Sequence, residues 1–496
     1  MTAEPTAVTG GVAMTLATIA ATGATPRPSG ETLSAQRQRI AAGITRQLAD
    51  RSLATKGTWE LVWLALSPDN ANMAYIAEDT SGSNEFAVVV RGTVSSAIDT
   101  MEDLDVGTVV PFTAGGAAPV SVSKGAMAAF TQVAGMTDES SGTTLVQALT
   151  RLLSDAPPSP TVNVVGHSLG GCIATVLALY LQALPWNGIA PQFGVVTFAA
   201  PTAGLQDFAT LFDSVKWSVS EGYVNDYDMV PLAWAGLATA KQWYPAVHGP
   251  VAPAVVKDVL IPELEALPGP NTYVQPDNAV PLNPHYDTFD PAVVRSSVGD
   301  FLAQVAFQHA NPTYLALLTA PPVPSGPVVT SLSQNVGAAG TRITVAGSGF
   351  GPDCVVDFGP FACASPEAVG ATQLTVTVPA GVGVVDVRVT GNLGTSPAVP
   401  FAQFAYGGPE PVVVTAVSPN SGRSGAPVTI TGTGFATKPT VYFGKSPATV
   451  TSASETRITV TAPPSGSPFG KTVDIRVLSN GYLSPAGPAD EFTYTG

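Results

Sequence analysis

Apolar and polar positions follow two rhythms along the 496-residue chain. Up to about residue 318, short apolar runs alternate with longer stretches that read as helix. Phe86–Val90 (FAVVV), Thr161–Val165 (TVNVV) and the run from Phe193 to Ala200 read as buried strands. The run from Val215 to Val224 reads as a further strand. Cys172–Leu184 is apolar nearly all round, which predicts a buried helix. Beyond residue 327 the period drops to two, in Thr/Val segments such as Arg342-Ile343-Thr344-Val345 and Val428-Thr429-Ile430-Thr431, punctuated by glycine turns. The expectation is an α/β region with a mostly parallel sheet and flanking helices, followed by all-β sandwiches.

A chain of this length exceeds one ordinary core. Residues 1–34, small and Thr/Ala/Gly-rich, are expected to be loose. The α/β region is expected over 35–318 and a stiff Pro-rich linker over 319–326. Two β-sandwiches are expected over 327–407 and 408–496, because the second half repeats. Gly340, Gly347, Phe350, Phe358 and Gly359 recur 85 residues later as Gly425, Gly432, Phe435, Phe443 and Gly444. Phe404-Ala405-Tyr406 returns as Phe492-Thr493-Tyr494, 88 residues on.

Charge narrows the function. Acidic residues outnumber basic ones 36 to 21, giving a net charge of −15, and no Lys/Arg cluster exists. Phosphate contacts need such clusters, so nucleic acid is excluded as a partner, as is adhesion to anionic membranes through basic patches. The stretch GGVAMTLATIAATGAT over 10–25 makes a poor signal peptide and a worse transmembrane helix. The chain therefore reads as soluble, with no visible export route. Three cysteines cannot build a disulfide framework. Cys172 reads as a small buried residue, while a Cys354–Cys363 pair, suited to an exported or cell-surface protein, stays open. The histidines are scattered and no Cys-x-x-Cys occurs, so no metal or other cofactor is expected in catalysis, though a structural calcium stays open.

Between the Thr161–Val165 strand and the following helix lies Gly166-His167-Ser168-Leu169-Gly170-Gly171. A serine held above a sheet on a tight strand–turn–helix needs residues without bulk two before and two after it, which Gly166 and Gly170 supply. Ser168 is the candidate nucleophile, and the helix N-terminus favours developing negative charge beside it. His167 is not expected to be the base, because neighbours on so sharp a turn point different ways.

A serine nucleophile needs a base, and the base a carboxylate. Asp226 and Asp228 both follow the 215–224 strand at its carboxyl end, where such sites form. His248, His285 and His309 all follow Ser168. Several ordered motifs over about 59–318 resemble the class 3 (fungal-type) lipases, of α/β-hydrolase type. These are Arg91-Gly92-Thr93, the serine segment, Thr197-Phe198-Ala199-Ala200-Pro201 with Gly204, Asp228-Met229-Val230-Pro231, and Gln308-His309 followed by Tyr314. The resemblance implies Asp228 as the acid and His309 as the base. A Pro-rich insertion at about 245–292 carries His248 and His285 and keeps both as alternatives.

The same resemblance implies an oxyanion hole from the backbone N–H groups of Leu169 and Thr93. It also suggests a lid at 94–104, where Val94, Ile98, Met101 and Leu104 recur at helical spacing, with an ordinary surface helix as the alternative. The 245–292 insertion offers a second cover. The implied activity is carboxylic ester hydrolysis by a Ser168–Asp228–His309 triad. The substrate would be an acylglycerol or other ester, met in solution or at a lipid–water interface. Phospholipid and polyester substrates remain alternatives, as does a non-catalytic binding protein. PNSGRSGAPVTITGTGF with VYFG and FTY resembles the IPT/TIG immunoglobulin-like domains, in which Ser333-Gln334-Asn335-Val336-Gly337 is the degenerate counterpart of Ser418-Pro419-Asn420-Ser421-Gly422. That likeness implies spacer modules or binders of carbohydrate, cell wall or a partner.

Overall fold

A computed structural model describes residues 8–24, 32–92, 105–242, 254–282 and 298–324. It also describes 326–495 apart from 353, 360–361, 371, 382, 392, 397, 400–401, 407–411, 437, 445, 465–471 and 480–481. The chain divides into two compact units with the boundary at Pro324.

The first unit is built on a seven-stranded sheet. In chain order its strands are β1 (Trp59–Leu66), β2 (Met73–Asp79), β3 (Glu85–Val90), then β6 (Thr161–His167), β7 (Gln192–Phe198), β8 (Ser220–Asn225) and β9 (Ala279–Leu282). A separate hairpin, β4 (Val109–Phe112) and β5 (Val120–Ser123), lies between. The sheet order is β1-β2-β3-β6-β7-β8-β9, antiparallel from β1 to β3 and parallel from β3 to β9. The apolar runs form the parallel strands because both faces are covered, so no alternation is required. β6 is the central strand, and the buried helix Leu169–Gln182 leaves its end directly. The strand expected over 215–224 is shorter than its apolar pattern suggested, beginning at Ser220.

Within the amino-terminal segment expected to be loose, residues 10–24 are helical instead. Gly10–Ile19 is a helix whose Val12, Ala13, Met14, Leu16 and Ile19 lie in the core of this unit. Its small residues allow close approach: a Cβ on Gly10 would stand 2.5 Å from the Tyr223 hydroxyl. Its threonines are tolerated inside because Thr15 and Thr18 return their hydroxyls to Gly11 and Met14 carbonyls, both at 2.8 Å. Tyr75 then donates to the Leu16 carbonyl at 2.7 Å. Part of the stretch expected as a stiff Pro-rich linker is tied to this unit. Val323 packs on the same core, and Gln47 donates to the Pro324 carbonyl at 2.9 Å.

The second unit is all-β. In the first repeat, strands 328–332, 342–348, 373–377 and 368–369 form one sheet, and 336–337, 403–406, 383–391, 355–358 and 362–364 the other. In the second repeat the sheets are joined, since Ser446–Ala453 pairs with both Thr440–Phe443 and Arg457–Thr461 across a bulge. The repeated residues do the same work twice. A Cβ on Gly347 or Gly432 would lie 1.9 or 2.0 Å from the carbonyl oxygen of Val328 or Val413. Phe358 meets Phe404, and Phe443 meets Phe492, edge to face in the two cores. No disulfide joins Cys354 and Cys363: Cys363 sits opposite Asp357 in its hairpin, and the buried Cys354 sulfur accepts the Gly351 N–H.

Candidate active site

Ser168 directly follows β6, with φ 59° and ψ −133°, a conformation that non-glycine residues avoid. Flanking glycines make the turn possible. A Cβ on Gly166 would meet the Gly170 oxygen at 2.2 Å, and one on Gly170 would meet the Val90 oxygen at 2.3 Å. Gly92 lets the main chain after Arg91 approach the serine turn, since a Cβ there would lie 2.8 Å from the His167 oxygen. The Ser168 N–H is fixed on the Phe198 carbonyl at 2.9 Å. Leu169 opens the helix, where the first N–H groups have no intrahelical acceptor. Thr93 and the stretch 94–104 lie outside the described residues, as do His248 and His285.

Three candidates separated widely in sequence come together. The His309 Nε2 is 2.8 Å from the Ser168 Oγ, and its Nδ1 is 2.8 Å from the Asp228 Oδ2. Ser168, Asp228 and His309 are all buried. A carboxylate only accepts, so Nδ1 carries the proton and Nε2 presents its lone pair to the hydroxyl. Asp228 receives two further bonds, from the Val230 N–H to Oδ1 at 3.0 Å and from the Tyr314 hydroxyl to Oδ2 at 2.9 Å. Asp226 is exposed and its carboxyl is raised by partial burial; it is not brought to the histidine. A hydroxyl, an imidazole in the accepting tautomer and an orienting carboxylate can together generate an alkoxide-like nucleophile.

Other residues around the site make contacts that the sequence motifs did not announce. The His167 ring packs on the His309 ring at 4.8 Å and edge-on to Tyr314 at 5.5 Å. Burial, with the neighbouring His309, holds the His167 imidazole well below its ordinary range. Asn225, at the end of β8, bonds to Gln308, Tyr227 and Tyr314. Its one local signal is an asparagine opening the turn after a strand. Arg91 is buried without touching Ser168. It donates to the Gly23 carbonyl at 2.5 Å and to the Asn70 carbonyl, anchoring the segment that leads to Thr93. Burial pulls its guanidinium down to about 10. The part of the 245–292 insertion that is described returns through Tyr273, whose hydroxyl donates to the Val106 carbonyl at 2.8 Å. Among the described residues no His/Cys/Asp/Glu group has the geometry of a metal site, and no helix is long and apolar enough to cross a membrane.

Residues 87–236 match the class 3 lipase family, and residues 327–402 and 411–494 each match the IPT/TIG domain. The chain is similar to the crystal structure of M37 lipase, with 21% identity and TM-score 0.49 over 62% of this chain and 92% of that one. It is similar to a triacylglycerol lipase from Penicillium expansum, with 19% identity and TM-score 0.31 over 40% and 72% of the two chains. For the Lip2 lipase from Yarrowia lipolytica the values are 16% and 0.34, over 54% and 77%. No curated protein matches the chain.

Proposed function

We propose that this lipase-type serine hydrolase, with a class 3 lipase segment and two IPT/TIG domains, cleaves carboxylic esters through an acyl-enzyme on Ser168. The observation that carries the reading is the unbroken contact chain from the Ser168 Oγ through the His309 ring to Asp228, both links at 2.8 Å. As Oγ attacks the ester carbonyl carbon, its proton passes to His309 Nε2, and Asp228 stabilises the imidazolium through Nδ1. The carbonyl oxygen becomes negative and meets the Leu169 N–H at the helix N-terminus, with Thr93 as the second donor by the resemblance of its segment. His309 returns the proton to the leaving alcohol. Water then repeats the sequence on the acyl-enzyme, and the carboxylic acid departs.

The test is hydrolysis of soluble p-nitrophenyl esters and labelling by a fluorophosphonate. Activity and labelling are expected in the wild type, and both should vanish in Ser168→Ala with unchanged far-UV circular dichroism. Full hydrolysis by that variant ends the assignment. Triacylglycerols of increasing acyl length, assayed below and above their solubility, decide the substrate. A rate that jumps as the emulsion forms marks a lipase acting at a surface, and a smooth curve marks an esterase. Phospholipid and polyester substrates in the same series test the alternative ester classes.

A further inference from the structure

Triad chemistry needs a carboxylate and an imidazole held at fixed separation, and here they come from segments 81 residues apart. One side chain bonds to both segments. Asn225 is fully buried. Its Nδ2 donates to the main-chain carbonyl of Gln308 at 2.9 Å and to the Gln308 Oε1 at 2.7 Å. Its Oδ1 accepts the Tyr227 N–H at 3.1 Å, and its main-chain carbonyl accepts the Asp228 N–H at 2.9 Å. Its own N–H donates to the Tyr314 hydroxyl at 3.1 Å, and that hydroxyl donates onward to Asp228. The amide orientation follows from its neighbours, since a main-chain carbonyl only accepts and an N–H only donates.

An asparagine that merely shaped the turn would use Oδ1 alone. Here Nδ2 reaches the last turn of the helix Val298–His309, where main-chain carbonyls lack partners within the helix. The carbonyl it takes belongs to the residue directly before His309. We propose that Asn225 is a positioning residue, whose side-chain amide clamps the peptide preceding His309 onto the turn that carries Asp228 and so sets the imidazole between Asp228 and Ser168. The proposal rests on the ester-hydrolase reading above. Without Nδ2, two acceptors of the fully buried Gln308 lose their donor, and the helix end must shift to find another.

Asn225→Asp tests this, because it preserves size and the acceptor for Tyr227 while turning the donor into an acceptor. The expected result is a kcat on a soluble p-nitrophenyl ester lower by about 10²-fold, the scale of an ångström-sized misplacement, with KM little changed. Asn225→Ser, too short to reach Gln308, should behave alike and stands in if the first variant does not fold. Gln308→Met, which removes the side-chain amide with its Oε1 acceptor and unpaired Nε2 but keeps the main-chain carbonyl that Asn225 also binds, should lose about five- to tenfold. Spectra of the protein labelled with 15N-histidine supply a readout that a merely structural role would not move. The wild type should show one histidine locked with its proton on Nδ1, and the Asn225 variants a mixture of tautomers. A folded Asn225 variant with wild-type kcat and a locked tautomer, or no loss in Gln308→Met, overturns the clamp. If the wild type itself neither hydrolyses esters nor labels, the ester reading fails while the tautomer comparison still decides the clamp.

Discussion

Adding one methyl group at Gly166 should damage both fold and turnover by an amount the turn geometry dictates. The new Cβ in Gly166→Ala would stand 2.2 Å from the Gly170 oxygen, 2.3 Å from its carbonyl carbon and 2.6 Å from the Gly171 nitrogen. Ordinary contact begins near 3.4 Å, so the deficit is about 1 Å, and every atom in the way is backbone that cannot rotate aside. Strand and helix must part by about that distance, carrying Ser168 and the Leu169 N–H with them. Overpacking of this kind costs about 1–3 kcal/mol. For a unit of about 300 residues that lowers the unfolding midpoint by about 1–2 °C per kcal/mol. Misplacement of the nucleophile should cut kcat by about 10²-fold. The matched control is Gly135→Ala, at the end of the helix Lys124–Gly135, where an added Cβ meets nothing within 4 Å. Scanning fluorimetry and p-nitrophenyl ester kinetics on both proteins decide the matter. A Gly166→Ala protein as stable and active as the Gly135→Ala one would refute the claim that closeness of the two backbones forces glycine there.

In Asp228→Asn, an amide that turns its NH2 toward Nδ1 holds the wrong tautomer, so kcat should fall about 10⁴-fold with the fold retained; a loss under tenfold removes Asp228 from the triad. Tyr314→Phe strips a donor from Asp228 and an acceptor from the buried Asn225 N–H, so kcat should fall about five- to tenfold and the unfolding midpoint should drop; an unchanged midpoint would contradict that bond. Burial raises the Glu85 carboxyl to about 7, against the counter-pull of the Val8 N–H. The folded state thus holds a proton that the unfolded chain releases at lower pH, and stability falls as pH rises from the ordinary carboxylate range towards 7. Glu85→Gln should therefore raise the midpoint at pH 8 and leave it unmoved at pH 4, and equal midpoints at both would refute the assignment.

What could be read from the sequence followed from local constraint. Ser168 was visible because its glycines fall within six consecutive residues, Gly166 demanded by the Gly170 backbone and Gly170 by the neighbouring strand at Val90, and the strand and helix on either side carry their own apolar signatures. The two β repeats were visible for a similar reason: Gly347 and Gly432 sit where a carbonyl leaves no room. Asp226 and Asp228 could not be separated by position alone, since both follow β8. The turn separates them, with Asn225 accepting the Tyr227 N–H so that Asp226 faces outward and Asp228 inward. Composition misled at residues 10–24, where Gly, Thr and Ala suggested looseness. Small side chains that return their hydroxyls to the helix are instead what a helix needs to press against a sheet.

The remaining illegible features are contacts between distant segments that leave no periodicity behind. Arg91 reaching Gly23, Asn225 reaching Gln308 and His167 lying on His309 each join residues that no spacing rule pairs. The last of these has a chemical consequence. In the proposed reaction His309 carries a positive charge, and a second charge on a ring 4.8 Å away would oppose it. Enclosure of His167, whose Nε2 is buried with no hydrogen-bond partner among the described residues, keeps that ring neutral. An imidazole beside the nucleophile thus fills space against the base without competing for its proton. The same burial that excludes His167 from the base's role makes it a compatible neighbour.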